Sequence, residues 1–196
     1  MSKSYLLQVA GAIALTASLG AVPIAAAQAG AQTPPAPPRP VDAPTVAKAV
    51  ANVADSDFVA QAAKAGAREV ELGHLAAKQA MNADVKAFAN RMISDHSKTG
   101  DELAAIAKKN AIALPPAATL DAEKKAATDK LMSLQGAAFD RAYMDQMVTA
   151  HRGAVELFEK ESKDGSNAEL KAFAAKALPT VRDHLKEATA LQMKVK

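Results

Sequence analysis

Cysteine is absent from all 196 residues, which excludes disulfides, thiolate metal sites and anchoring through a lipid-bearing cysteine, so the chain is not a lipoprotein. Tryptophan is also absent, and aromatics make up only 4% of the chain. None of them interleaves with a basic run, so there is no platform on which bases could stack. The net charge is +3, and the lysines alternate with Asp and Glu, giving solvated mixed faces with no polyanion-binding surface. Nucleic acid is therefore not an expected partner. A nucleophile-base-orienter set and a Gly-rich phosphate loop are both missing, which leaves hydrolases and nucleotide-dependent enzymes without support. No catalytic residue is assigned.

Long hydrophobic runs are confined to the start of the chain. Lys3 supplies a positive n-region, Leu6 to Leu19 an apolar h-region, and Ala25-Ala26-Ala27 an A-x-A cleavage site before Gln28. Residues 1–27 are thus expected to be a secretory signal peptide of bacterial type. An uncleaved anchor is the competing reading, but the apolar stretch is short and runs into small residues and proline. The mature chain is expected in the periplasm or otherwise exported, with no transmembrane span of its own. Proline is scarce except in one place: Pro34, Pro35, Pro37, Pro38, Pro40 and Pro44 crowd together after the cleavage site. That composition favours extended conformations and cannot build a core, so residues 28–54 are expected to form a tether. Residues 55–196 are Ala-rich, helix-prone and of the usual size of one domain.

What the domain does contain is a repeat. Val70-Glu71-Leu72 and Val85-Lys86-Ala87-Phe88-Ala89 recur 85 residues later as Val155-Glu156-Leu157 and Leu170-Lys171-Ala172-Phe173-Ala174. Asn82 and Asn167 match as well, each placed to end one helix and cap the next. An αα-hairpin has been written twice, and a unit that cannot bury its apolar face alone can bury it against its copy. The spacing predicts four main helices: from Asp55-Ser56 to about Met81, Ala83 to Asn110, Ala137 to Lys163 and Ala168 to Met193. A lead-in helix is expected over about Asp121 to Gln135, and Leu114-Pro115-Pro116 should stop the second main helix. Pro179 predicts a kink or local break in the last one. The fold class is all-α: a ferritin-like four-helix bundle made of two αα-hairpins joined by a long helical crossover, with simple up-down-up-down topology as the alternative.

Each helix has one apolar stripe, and four of the stripes carry a polar interruption. On the first, Glu69 stands among Phe58, Ala62, Ala65, Leu72 and Ala76. On the second, His96 follows Val85, Phe88 and Met92. On the third, His151 follows Asp140, Tyr143 and Met147, and on the fourth, His184 lies between Val181 and Ala188. At ~1.5 Å per residue, Glu69 and His96 both lie roughly 20 Å from the first turn. His151 and His184 lie at similar heights from the second, so all four fall near mid-bundle. One carboxylate and three imidazoles converging from four helices form a candidate site for a transition metal ion: Fe, Cu, Zn or Mn. Asp140 and Tyr143 are candidate supporting partners. Met92 and Met147 each precede a histidine by four residues, and thioethers beside imidazoles lean towards copper. The competing reading is a metal-free polar cluster satisfied by its own hydrogen bonds, with the methionines as core filler. The di-iron signature of Glu on two helices and Glu-x-x-His on the other two is not met. Glu71-x-x-His74 fits it once, on a polar face, and its repeat mate is Glu156-x-x-Glu159.

Taken together, Glu69-Val-Glu-Leu-Gly73, Phe88-Ala-x-x-Met92-x-x-Asp95-His96, Gly136-x-x-Phe139-Asp140-x-x-Tyr143-Met144 and Leu178-Pro179-x-x-x-x-His184-Leu185 resemble an exported bacterial family, domain-of-unknown-function family 4142. The resemblance covers nearly everything after Asp55 and implies a ferritin-like helical bundle of the cell envelope with no established activity. It points to Glu69, His96, Asp140, Tyr143, His151 and His184 without choosing their role. The expectation for function is metal handling or envelope stress. The alternative is a metal-free module that presents its outer faces to an envelope protein partner. Were the chain an enzyme, metal-dependent oxidation-reduction is the chemistry left open.

Overall fold

The computed structural model describes residues 43–116 and 122–196, with side chains over 53–116 and 125–196. The expected signal peptide, and residues 28–42 of the expected tether, lie outside the described residues. Five helices and no strand are found among those described: α1 (Ala43–Gln79), α2 (Ala83–Lys109), α3 (Ala122–Met132), α4 (Gly136–Asp164) and α5 (Ala168–Lys194). No helix among them is long and apolar enough to cross a membrane.

The helix boundaries follow local chemistry. Asn82 and Asn167 both cap the helix that follows, each accepting from the amides two and three residues on (Asp84 and Val85; Glu169 and Leu170). α2 ends before the proline pair expected to stop it. Ala111 adopts a left-handed φ of 55°, and the amides of Ala111 and Ile112 donate to the carbonyls of Lys108 and Ala107. This is a Schellman closure, sealed by buried Ile112 packing in the same apolar cluster as Ala107. One expectation needs correction. α1 starts at Ala43, inside the expected tether, because Pro44 sits in the first turn, where its missing amide costs nothing, and the residues after it are Ala-rich. Asp55 is consequently mid-helix, and its carboxylate accepts from the Asn167 amide at 3.3 Å. Of the kink or local break expected at Pro179, the break is not found: α5 is continuous from Ala168 to Lys194. Both Pro179 and Ala175, whose carbonyl loses its helical donor, are exposed, so the missing bond costs less than it would in the core.

α1 packs on α2 and α4, and α5 packs on α4 and α2. Two anchors fix the order of the ends. At one end, the Asp140 carboxylate accepts from the amides of Met81 and Asn82 at 3.0 and 2.8 Å, and Gln79 donates to the Leu134 carbonyl. At the other, Asn167 donates to Asn110 at 2.8 Å. α2 therefore ends beside the α4–α5 turn while α4 begins beside the α1–α2 turn, so the two helices run parallel. Up-down-up-down connectivity is excluded. Inside the first hairpin, Gly73 lets α1 approach α2: a Cβ there would meet Ile93 Cγ1 at 2.9 Å and the Ala89 carbonyl at 3.1 Å.

Asp140→Ala is expected to destabilise the bundle by about 3 kcal/mol, because two amides of the α1–α2 turn lose a charged acceptor. Urea unfolding at neutral pH measures this.

The core is two apolar clusters. One, towards the α1–α2 turn, holds Leu72, Phe88, Met92, Tyr143, Met147 and Leu191. The other, towards the α4–α5 turn, holds Phe58, Leu103, Phe158, Leu170 and Phe173. Between them each long helix contributes one polar residue: Glu69, His96, His151 or His184.

Candidate metal centre

All four polar residues meet in that layer. Glu69 is 3% exposed, His151 0% and His184 1%, and the His96 side chain is 11% exposed. The imidazole centroids form a nearly equilateral triangle, with 5.6 Å between His96 and His151, 5.3 Å between His96 and His184, and 5.4 Å between His151 and His184. One ring nitrogen from each of the three lies within 4.8 Å of the other two. Glu69 closes the layer from α1, with Oε2 3.1 Å from His96 Nε2 and Oε1 3.6 Å from His151 Nδ1.

Charge is scarce here. Burial pushes the Glu69 carboxyl up to about 8, against a lowering pull from Arg68. Burial pulls His96 down to about 3, helped by His151 and His184. It pulls His151 down to about 4 and lowers His184 as well. At neutral pH the layer holds three neutral imidazoles and a protonated carboxyl, so the Glu69 contacts are not ion pairs.

Neutral imidazole is the ligand form. His151 Nδ1 lies 2.9 Å from the Met147 carbonyl, which can only accept, so the proton sits on Nδ1 and the lone pair on Nε2. His151 Nε2, His184 Nδ1 and Glu69 Oε1 are buried without a hydrogen-bond partner, and His96 Nε2 has only the Glu69 carboxyl, 3.1 Å away. Buried polar atoms in native proteins are satisfied in the great majority, and three orphans in one layer fit a group that three nitrogens and a carboxylate could hold. A cavity of about 970 Å³ lined by α1, α2 and α5, with Ala154 and Phe158 of α4, reaches Glu69, His96 and His184 and gives an entry path. Small residues on α1 make the room: Gly66 stands 4.0 Å (as a Cβ) from His96 Nδ1, with Ala62 and Ala65 nearby.

The expected supporting residues divide. Tyr143 is buried with its hydroxyl unpartnered, and its ionisation is pushed up by burial and by the Glu69 charge. Asp140 is corrected: its carboxylate caps the α1–α2 turn, eleven residues along α4 from His151 and so roughly 16 Å away. The side chains of Met92 and Met147 pack in the apolar cluster towards that turn, and Met147 serves the layer through its main-chain carbonyl. Glu71 and His74 are exposed on the outer face of α1. One residue was missed as a site member. Asp95 on α2 accepts from His184 Nε2 at 2.9 Å. Its only sequence signal is its place beside His96 in the Asp95-His96 motif.

The model of the family described as "Domain of unknown function (DUF4142)" matches residues 40–191. The chain belongs to the DUF4142 family. No curated protein matches the sequence of this DUF4142 chain. Among solved structures it is similar to a DUF305 fragment from Deinococcus radiodurans, with a TM-score of 0.63 at 15% identity over 72% of this chain and 96% of the other. It is also similar to CopM in the Cu(I)-bound form, with a TM-score of 0.61 at 18% identity over 71% and 96%. A DUF305 protein from Streptomyces coelicolor gives 0.61 at 16% over 72% and 93%. At these identities the DUF4142 chain shares the fold of the three.

Proposed function

We propose that this DUF4142 protein is an exported, ferritin-like helical bundle that holds a transition metal ion through His96, His151 and His184, with Glu69 beside them, in metal handling or envelope stress. The observation that carries the reading is the layer itself: three buried imidazoles, each with a ring nitrogen within 4.8 Å of the other two, in a layer where His151 Nε2 and His184 Nδ1 have no hydrogen-bond partner. The paired hairpins with one crossover support the ferritin-like description. Residues 1–27 support export. Imidazole donors suit copper, zinc and iron, and the likeness to CopM, which binds Cu(I) and Cu(II), puts copper first. When bound, such an ion would supply a centre for transfer or storage, and one-electron chemistry if it is copper or iron. The chain's own part is to hold three nitrogens in register, keep them neutral and leave an entry path.

A metal-free structural module would leave the same buried atoms unsatisfied at a cost of about 1–3 kcal/mol each, with nothing gained. Elemental analysis of the mature protein purified from a periplasm tests the proposal. About one bound ion per chain is expected, and its loss in a His96→Ala, His151→Ala double variant. Metal-free wild-type protein, or metal unchanged in the double variant, would overturn it.

A further inference from the structure

Among the described residues, Asp95 is the carboxylate that hydrogen-bonds a histidine of the layer from outside it, and its surroundings form a clamp between two helices. On α2, Arg91 Nε reaches Asp95 Oδ2 at 3.3 Å, and Arg91 Nη1 crosses to Glu187 Oε2 on α5 at 2.6 Å. On α5, His184 crosses back, Nε2 to Asp95 Oδ2, at 2.9 Å. Residues four apart on one helix thus meet residues three apart on the other, the spacings that share a helix face. Asp95 is 33% exposed at its side chain, whereas His184 is 1% exposed. The buried ring is therefore held from the surface.

An acceptor on Nε2 does more than fix the ring's position. A carboxylate can only accept, so it places the His184 proton on Nε2 and leaves the lone pair on Nδ1. Nδ1 is the His184 atom that is buried without a partner. At His151 the opposite holds: the Met147 carbonyl takes the Nδ1 proton and Nε2 is left free. We infer that Asp95 is a positioning residue that locks His184 in the Nε2–H tautomer, so that the layer offers a mixed set of nitrogens: Nδ1 from His184 and Nε2 from His151. This inference rests on the metal reading for its purpose but not for its test. Nδ1 lies closer to the backbone than Nε2, so the lock also sets how far α5 must stand from the shared centre.

Long-range ¹H–¹⁵N correlation spectra of the apoprotein read each histidine's tautomer directly. The expected result is Nε2–H at His184 and Nδ1–H at His151 in wild type. In Asp95→Asn the side-chain oxygen can still accept, and His184 keeps Nε2–H. In Asp95→Ala, His184 is expected to become a mixture of tautomers while His151 is unchanged, which also shows that the core is intact. Competition titration with Zn(II) is expected to give a loss of roughly 10–100-fold for Asp95→Ala, the usual effect of removing a ligand's outer partner, and less for Asp95→Asn. Nδ1–H at His184 in wild type, or an unchanged tautomer in Asp95→Ala, would overturn the inference. Wild-type protein that binds no Zn(II) yet shows these tautomers would instead count against the metal proposal alone.

Discussion

His151→Leu is expected to lower the affinity for Cu(I), Cu(II) or Zn(II) by more than about 100-fold while leaving the metal-free protein as stable as wild type, or about 1 kcal/mol more stable. The two halves have separate causes. Losing one of three nitrogens must cost more than the roughly 10–100-fold that follows from losing a ligand's hydrogen-bond partner. In the apoprotein, however, His151 is fully buried with Nε2 unpartnered, and an unsatisfied buried polar atom costs about 1–3 kcal/mol. Leucine fills similar space without it, and the Met147 carbonyl keeps its helical hydrogen bond. A histidine kept for structure predicts the reverse, a large loss of stability on removal. Competition titration for affinity and urea unfolding with a chelator present separate the two. Equal stability loss with and without metal would count against the site.

The second large effect is on pH. The metal-free protein is expected to be most stable near pH 6.5 and to lose a few kcal/mol on acidification to pH 4. His96 and His151 are pulled down to about 3 and 4 by burial. Between those values and the unfolded value near 6.5, the unfolded chain binds protons that the folded chain refuses, so stability is present above 6.5 and lost as pH falls. Glu69 works with the opposite sign. Its carboxyl is pushed up to about 8 by burial, so its contribution is complete below about 4.5 and lost as pH rises through 8. Glu161 adds to that branch over a narrower window, being raised to about 6 by burial and by Asp55. Over pH 4 to 6.5 the wider windows of His96 and His151, joined by the lowered His184, outweigh those of Glu69 and Glu161 together, and Glu69 alone remains on the alkaline side. Glu69→Gln should therefore flatten the decline between pH 6.5 and 8 and leave the acid limb in place. Urea midpoints across this range, without metal, give the curve. A wild-type midpoint that keeps rising from pH 6.5 to 8 would be incompatible with a buried, protonated Glu69.

Much of this architecture is legible in the residues because burial on a long helix is periodic. The stripe Leu170, Phe173, Val181, His184, Ala188 and Leu191 is the buried face of α5, and the heights of Glu69, His96, His151 and His184 above their turns could be counted before any coordinates. Asn82 and Asn167 cap as their type and place require. What periodicity cannot reach is the partner across a helix interface. Asp140 shares the His151 face of α4, yet eleven residues of rise deliver its carboxylate to the α1–α2 turn. Asp95 lies one residue off the inner stripe of α2, where a face-by-face reading puts solvent, and only the neighbouring α5 turns it into a contact for His184. Met92 and Met147 have a spacing that admits both packing and ligation, and the packed side chains sit in the apolar cluster. The start of α1 escaped because Pro44 reads as a tether residue by composition and as a first-turn residue by position.

The 85-residue repeat explains the scaffold but not the layer: the repeat mate of His96 is Val181, and His184 lies nearly one turn beyond it. That departure from internal symmetry brings the third imidazole to the height of the other two. A crystal structure of the copper- or zinc-loaded protein, with anomalous scattering collected at the metal's absorption edge, tests the claim most directly. The account predicts one strong peak within the triangle of His96, His151 and His184, about 2.0–2.1 Å from a nitrogen of each. Strong peaks confined to the protein surface, with the three imidazoles standing as they do in the metal-free chain, would contradict it.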